Sequence, residues 1–279
     1  MCHKTTIEPR LSVLMSVYNG DNSEYLNVAI ESIITQTRLP DEIVLVEDGP
    51  VQGQLSDVIH QWQQKQPRFF KVVSLPENCG LGVALQEGLK TCSYDVVARM
   101  DADDISCPTR FEKQLQFLED NPDVAAVSSW MACFEDDPDD IVFIRQMPQK
   151  HRDIKRIARF RNPICHPPIM FRRSAVEDAG GYNEWQRNQD YHLWARMILN
   201  GAKITCLPEP LYKFRCNITF LKRRTSLQHM ISMIKLQDEF LKIGFISSPQ
   251  YCFNIGVRII TYILPVTITR FIRTRLLRL

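Results

Sequence analysis

Hydrophobic and polar positions alternate in two registers along the first hundred residues. Residues 11–17 form an unbroken apolar run with β-branched members, closed by Tyr18-Asn19-Gly20, which predicts a strand buried on both faces. Asn22 or Ser23 then caps a helix whose apolar positions Leu26, Ala29, Ile30, Ile33 and Ile34 share one side. The same succession repeats. A strand at 43–46 ends in Glu47-Asp48-Gly49, and a helix marked by Leu55, Val58, Ile59 and Trp62 follows. Next come a strand at 70–75, a helix opened by Gly80 and Gly82 that carries Leu85 and Leu89, and a strand at 95–100 ending in Asp101-Ala102-Asp103-Asp104. Strands separated by helices of this length build a parallel sheet, so the fold class is α/β. After Trp130 the alternation degrades. Residues 135–140 (EDDPDD) read as a loop, 169–171 and 203–207 as further strands, and 191–199 as a helix stopped by Asn200-Gly201. From about 220 the chain reads as one or two basic helices.

Composition narrows this picture. A chain of 279 residues, 44% hydrophobic and 24% charged, suits one large domain or a domain with an appendage, and excludes a disordered chain. No apolar run is long and uninterrupted enough to predict a spanning helix, and the N-terminus lacks a signal-peptide pattern. Nine cysteines without a C-x-x-C pair read as reduced thiols in a cytosolic setting. The net charge of +2 conceals an asymmetry: from Lys203 onward there are thirteen Lys/Arg against three Asp/Glu, a local excess of +10 over an acidic body. Such a tail suits nucleic acid or the anionic face of a membrane.

Candidate chemistry gathers where an open α/β sheet binds ligands, beyond the carboxyl ends of its strands. The first strand delivers Tyr18 and Asn19, the second Glu47 and Asp48, and the fourth Asp101, Asp103 and Asp104; Asn78 and Gly80 follow the third. Carboxylates converging in this way repel one another unless a cation or a hydrogen-bonding ligand sits among them, and hard oxygen donors suit Mg²⁺ or Mn²⁺, which in turn bind diphosphates. The other Asp-x-Asp, Asp137-Pro138-Asp139, reads as a solvated loop. No G-x-x-x-x-G-K-[ST] or complete G-x-G-x-x-G is present, which excludes a P-loop and argues against a dinucleotide site.

LMSVYNG (14–20), VEDG (46–49), NCGLGVALQEG (78–88) and RMDADD (99–104) resemble, in order, the motifs of family 2 glycosyltransferases. CHPPIMFR (165–172), GGY (180–182) and QDYHLWAR (189–196) are similar to the later motifs of that family's bacterial cell-surface polysaccharide and O-antigen enzymes. The resemblance covers about residues 10–215. It implies a GT-A fold, a nucleoside-diphosphate sugar donor (a UDP-sugar foremost), inversion at the anomeric carbon, a saccharide or lipid-linked saccharide acceptor, and no nucleic-acid partner. It further implies that Asp48 binds the nucleotide base, with Tyr18 and Asn19 lining the same pocket and Glu47, Asn78 and Gly80 beside them. Asp103 would ligate Mn²⁺ or Mg²⁺, and Asp101 would face the ribose or share the metal. Arg99 would lie near the phosphates, and His166 near the diphosphate or the acceptor. Asp190 would be the catalytic base. The family's usual Glu-Asp pair reads Gln189-Asp190 here.

Each of these residues has a plainer alternative. Asp190 can serve as a helix N-cap, Arg99 as one half of an ion pair, His166 as a hydrogen-bonded loop histidine, and Trp194 as core, whereas Trp185 can stack on a sugar. A sugar-phosphate nucleotidyltransferase is the competing enzyme class, and a non-catalytic sugar-nucleotide-binding protein the third reading. The expected organisation is a GT-A domain over 1–219, with a nucleotide-binding half at 10–105 and an acceptor-binding half at 106–219. A helical basic extension over 220–279 would follow. Within it, residues 251–268 with the arginines beyond predict an interfacial helix that holds the protein to the cytoplasmic face of the inner membrane.

Overall fold

The computed structural model of the protein describes residues 9–185, 187–216 and 227–263. Strands β1 (Leu11–Val17), β2 (Glu42–Glu47), β3 (Phe70–Ser74) and β4 (Val96–Met100) lie parallel in the order β3-β2-β1-β4. Each begins and ends within one or two residues of its predicted span. Helices α1 (Ser23–Ile34), α2 (Gln54–Lys65) and α3 (Leu81–Thr91) connect them. The predicted cap is present: Asn22 Oδ1 accepts the backbone N–H groups of Glu24 and Tyr25 at 2.8 and 3.0 Å.

The second half contains β5 (Ile105–Ser106), α4 (Arg110–Asp120), β6 (Val124–Phe134), β7 (Ile141–Arg145), α5 (His151–Ile157), β8 (Met170–Arg172), α6 (Arg173–Asp178), α7 (Gln189–Leu199) and β9 (Lys203–Arg215). The full sheet runs β3-β2-β1-β4-β8-β6-β9-β5, with β7 beside β6. β8 is the splice. It pairs antiparallel with β4 through Ala98↔Met170 and with β6 through Val127↔Met170, so the parallel half and the mixed half share one sheet. The strand at 203–207 continues to Arg215, parallel to β6, with its ladder shifting register between Ser129 and Trp130, opposite the stretch that contains Pro208 and Pro210.

Helices cover both faces. α1, α2 and α4 close one core over Val13, Met15, Ile43 and Leu45, whereas α3 and α5–α7 close the other over Leu14, Val44, Val46 and Val97. Trp194 is fully buried in that second core, as its plainer reading holds. Two further helices, α8 (Leu227–Lys242) and α9 (Ser248–Ile263), follow. α8 inserts Leu236 and Phe240 into the second core.

α9 is tied down by its polar side. Buried Asn254 donates to Gln237 Oε1 at 2.6 Å and to the Arg159 carbonyl at 2.8 Å. Arg258 turns inward as well, donating to the Asn254 and Phe160 carbonyls, which removes it from the expected set of membrane-facing charges. What α9 shows to solvent is apolar: Phe253 is 60% and Ile260 58% exposed, with Val257, Ile259 and Tyr262 beside them. No helix among the described residues is long and apolar enough to cross a membrane. The expected segment 264–268 and Arg270, Arg273, Arg275 and Arg278 lie outside the described residues.

Candidate active site

The carboxyl ends of β1 and β2 and the loop before α3 form the first group of candidate residues. Asp48 is its hub. It is only 6% exposed; Oδ1 accepts the Cys79 N–H at 2.7 Å and Oδ2 the Gly80 N–H at 2.9 Å. A carboxylate receiving the N–H groups that lead into α3 is favoured by the helix dipole. Asn78 Nδ2 returns to the Asp48 carbonyl at 3.2 Å. Gly49, at φ +86, lets the two turns approach, because a Cβ there would lie 2.7 Å from the Asn78 nitrogen. Asn19 Oδ1 accepts the Gln52 N–H at 3.0 Å, Glu47 accepts the Ser74 hydroxyl at 2.5 Å, and Tyr18 stands 43% exposed at the rim. Asp48, Asn78 and Gly80 are thus bonded to one another, while Tyr18, Asn19 and Glu47 stand at the adjoining strand ends with partners of their own.

The second group follows β4. The ligand atoms of Asp101, Asp103 and Asp104 lie within 4.8 Å of one another. Burial, reinforced by Asp101, pushes the Asp103 carboxyl up to about 6, and burial with Asp103 and Asp101 raises Asp104 well above the ordinary range. Three hard oxygen donors in this electrostatic debt fit a divalent cation. Their positions are set from afar. The Asp101 N–H donates to the Tyr212 hydroxyl at 3.1 Å, and Asp104 Oδ1 accepts the Arg215 N–H at 2.8 Å, so β9 braces the turn. Asp104 is fully buried and held by its backbone partner, while Asp101 and Asp103 stay partly accessible.

Arg99 is 2% exposed and forms an ion pair with Asp101. Burial opposes its charge, and the Asp101 carboxylate more than offsets that opposition. The plainer reading of Arg99 is thus realised, although its Nε and Nη1 have no hydrogen-bond partner. His166 is equally buried: its Nε2 lies 2.9 Å from the Tyr182 hydroxyl, and its ring stands edge-on to Trp194 at 5.7 Å. Burial, with Arg99 adding to it, pulls the imidazole well below its ordinary range, so it is neutral at pH 7. Burial raises the Tyr182 phenol, and the charges of Arg99, Asp190 and Asp101 act on it as well.

Asp190 does not cap α7. That place belongs to Asn188, which has a left-handed backbone (φ 61), and Asp190 sits in the first turn. Its Oδ2 accepts from Asn162 Nδ2 at 2.6 Å. The loop before α7 rests on α3, where a Cβ on Gly82 would run into the Asn183 carbonyl; that contact sets how closely the two halves meet. Sequence reasoning missed Asn162, Tyr212 and Arg215. All three act across long separations, and only the motif order brings 99–104 and 189–196 near one another in expectation.

The sequence profile described as "Glycosyl transferase family 2" matches residues 12–180. The chain belongs to glycosyl transferase family 2. Among its relatives, UDP-Gal:alpha-D-GlcNAc-diphosphoundecaprenol beta-1,3-galactosyltransferase of Escherichia coli is 34% identical over 97% of this chain and 97% of its own. Amylovoran biosynthesis glycosyltransferase AmsE of Erwinia amylovora is 36% identical, covering 94% and 97%. Among solved structures, the mannosyltransferase PcManGT from Pyrobaculum calidifontis, in complex with GDP-Man and Mn²⁺, superposes with a TM-score of 0.64 at 20% identity, covering 90% of this chain and 69% of that one. S. aureus TarS 1–349 in complex with UDP-GlcNAc also gives 0.64, at 18% identity, covering 83% and 66%. The fold is GT-A, as expected, and family 2 membership makes the protein a glycosyltransferase, with relatives named for bacterial polysaccharide and O-antigen biosynthesis.

Proposed function

We propose that this family 2 enzyme transfers a sugar, with inversion, from a UDP-sugar to a hydroxyl of a saccharide carried on a lipid diphosphate. The observation that carries the reading is the Asp101–Asp103–Asp104 cluster at the end of β4, with Arg99 paired to Asp101. The E. coli relative named for a UDP-Gal donor and a GlcNAc-diphosphoundecaprenol acceptor supports the substrate classes.

In this reading the edge formed by Tyr18, Asn19, Glu47, Asp48, Asn78 and Gly80 receives the nucleoside. Asp103 and Asp101 hold Mn²⁺ or Mg²⁺, and such an ion, when bound, supplies positive charge against the leaving diphosphate. Arg99 keeps Asp101 in place. Asp190 accepts the proton of the attacking hydroxyl on the face of the sugar opposite the leaving group, as inversion by direct displacement requires. Neutral His166, bonded to Tyr182, orders the wall between the two groups. The exposed apolar side of α9, with the basic residues beyond it, holds the enzyme at the cytoplasmic membrane face where such acceptors reside.

The test is a panel of UDP-Gal, UDP-GlcNAc and GDP-Man with Mn²⁺, scored for nucleoside diphosphate and free sugar, then for transfer to a GlcNAc-diphospholipid. Release of a nucleoside diphosphate that disappears with chelator and in Asp103→Ala is the expected result. Nucleotide binding without turnover on any donor or acceptor would favour the non-catalytic reading that Gln189 motivates.

A further inference from the structure

Asp190 is held from outside its own helix. Asn162 reaches it across 28 residues, with Nδ2 at 2.6 Å from Oδ2. The segment that presents Asn162 is rigid, because residues 163–170 are buried and their carbonyls are taken up by side chains. Ser128 Oγ donates to the Cys165 carbonyl at 2.9 Å, Gln114 Nε2 to Pro168 at 2.7 Å, and buried Arg110 to Ile169 at 3.4 Å. At the start of this segment Asn162 Oδ1 accepts the Ile164 N–H at 3.3 Å, a turn that asparagine and aspartate both favour. That bond orients the amide with its NH₂ toward Asp190, an acceptor-only partner when ionised. The other side of the junction is pinned too: the Tyr191 hydroxyl donates to the Ala158 carbonyl at 2.7 Å, fixing the first turn of α7 against the end of α5.

We propose that Asn162 is a positioning residue for the transfer step, occupying one oxygen of Asp190 and presenting the other to the acceptor hydroxyl. The inference rests on the reading of Asp190 as the base. In the step it serves, the acceptor oxygen bonds to the anomeric carbon while its proton passes to Asp190. The bond from that carbon to the diphosphate oxygen breaks, and its electron pair leaves with the nucleoside diphosphate. A carboxylate free to rotate presents either oxygen in many directions, whereas one oxygen tied to a fixed amide leaves the other a single direction. Among the described residues, the Tyr182 and Tyr191 phenols interact with Asp190, and burial raises both, so they stay neutral at pH 7. Gln189 is buried, with its Cβ toward Gly82, so the residue preceding Asp190 brings no charge beside it.

The deciding variants are Asn162→Ala, Asn162→Asp, Asp190→Asn and the Asn162→Ala/Asp190→Asn pair in the full chain. They are assayed with Mn²⁺, a GlcNAc-diphospholipid and the nucleotide sugar that the donor panel selects. Melting temperature and UDP–Mn²⁺ binding serve as controls. Asn162→Ala should lower kcat by about 10- to 100-fold, with the donor KM within about twofold of the parent. Asn162→Asp keeps the turn-forming oxygen but loses the N–H donor and sets two carboxylates within hydrogen-bonding distance. Its kcat should fall at least as far, and the acidic limb of its kcat–pH profile should move to higher pH. The pair should be no slower than Asp190→Asn alone. If Asn162→Asp keeps the parent's kcat and profile while Asp190→Asn is inactive, the positioning role is wrong and the base reading stands. If Asp190→Asn itself turns over normally, the base reading fails and takes this inference with it.

Discussion

Asp48 and Gly80 are joined across 32 residues: the carboxylate at the end of β2 accepts the backbone N–H that opens α3, at 2.9 Å. The side chain expected to read the nucleotide base is thus also the clasp that shapes the nucleotide edge. Removing it by Asp48→Ala strands the N–H groups of Cys79 and Gly80. Hydrogen bonds to charged groups are worth about 1.5–3 kcal/mol, so stability should fall by roughly 2 kcal/mol and UDP binding with it. Asp48→Asn, which retains one acceptor oxygen, should recover part of the loss. Urea unfolding of the two variants, compared with UDP titration, checks this; an unchanged unfolding midpoint for Asp48→Ala would remove the clasp.

The three clustered carboxylates should respond differently to the same chemical change. Burial and the neighbouring carboxylates disfavour a charge on Asp104, so Asp104→Asn, which removes that charge and keeps an acceptor for the Arg215 N–H, should leave the melting temperature nearly unchanged. Asp101→Asn removes the partner of buried Arg99, and breaking such a pair costs about 3 kcal/mol. Thermal melts of the two metal-free variants should differ by several degrees, and equal melts would contradict the assignment.

Protons and metal should compete for Asp103. With its carboxyl pushed up to about 6 in the folded chain, protonation sets in as pH falls through that value, and Mn²⁺ affinity should drop steeply between pH 7 and 5. The same raised value makes the metal-free fold bind this proton more tightly than the unfolded chain does. Its contribution therefore favours the fold below about pH 4 and is lost as pH rises to about 6. Calorimetric Mn²⁺ titrations at pH 5, 6 and 7.5 test the first statement, and metal-free melts compared between the parent and Asp103→Asn test the second.

Membrane attachment should depend on the outward side of α9 rather than on Arg258. Phe253→Ser with Ile260→Ser should weaken co-sedimentation with vesicles containing phosphatidylglycerol, by about 1–2 kcal/mol for each side chain withdrawn from the bilayer, and should do so at high salt as well as low. Arg258→Gln should lower stability and leave vesicle binding in place, because that guanidinium is committed to the Asn254 and Phe160 carbonyls. Wild-type vesicle binding by the double serine variant would overturn the assignment.

The parallel half was legible because β1, β2 and β4 are buried on both faces and read as nearly continuous apolar runs, with only the edge strand β3 partly exposed. β6 was not, although it is the longest stretch of buried strand after β1–β4: Ser128 and Ser129 interrupt its apolar pattern and are satisfied locally, Ser128 by the Cys165 carbonyl and Ser129 by that of Trp130. α4 was hidden for a related reason. Its buried face carries Arg110 and Gln114, polar side chains recruited to the carbonyls of a loop some fifty residues away. β9 was cut short at 207 because Pro208 and Pro210 signal a break, and the strand instead absorbs them in a register shift. The candidate chemistry was better marked than its supports. Asp101, Asp103 and Asp190 stand in ordered motifs, whereas Asn162 declares itself only through the partner it meets in space.

The bracing of the Asp101–Asp104 turn by Tyr212 and Arg215 also sets a schedule. Both bonds span 111 residues, so the turn is synthesised long before the strand that fixes it. At roughly 5–20 residues per second, the ribosome needs about 5 to 20 seconds to make the intervening chain. During that interval the acidic turn has no brace, whereas the Asp48–Gly80 clasp spans only 32 residues and both of its ends are already made. The Asp101–Asp104 turn therefore takes its braced form only once the last strand of the sheet has been made.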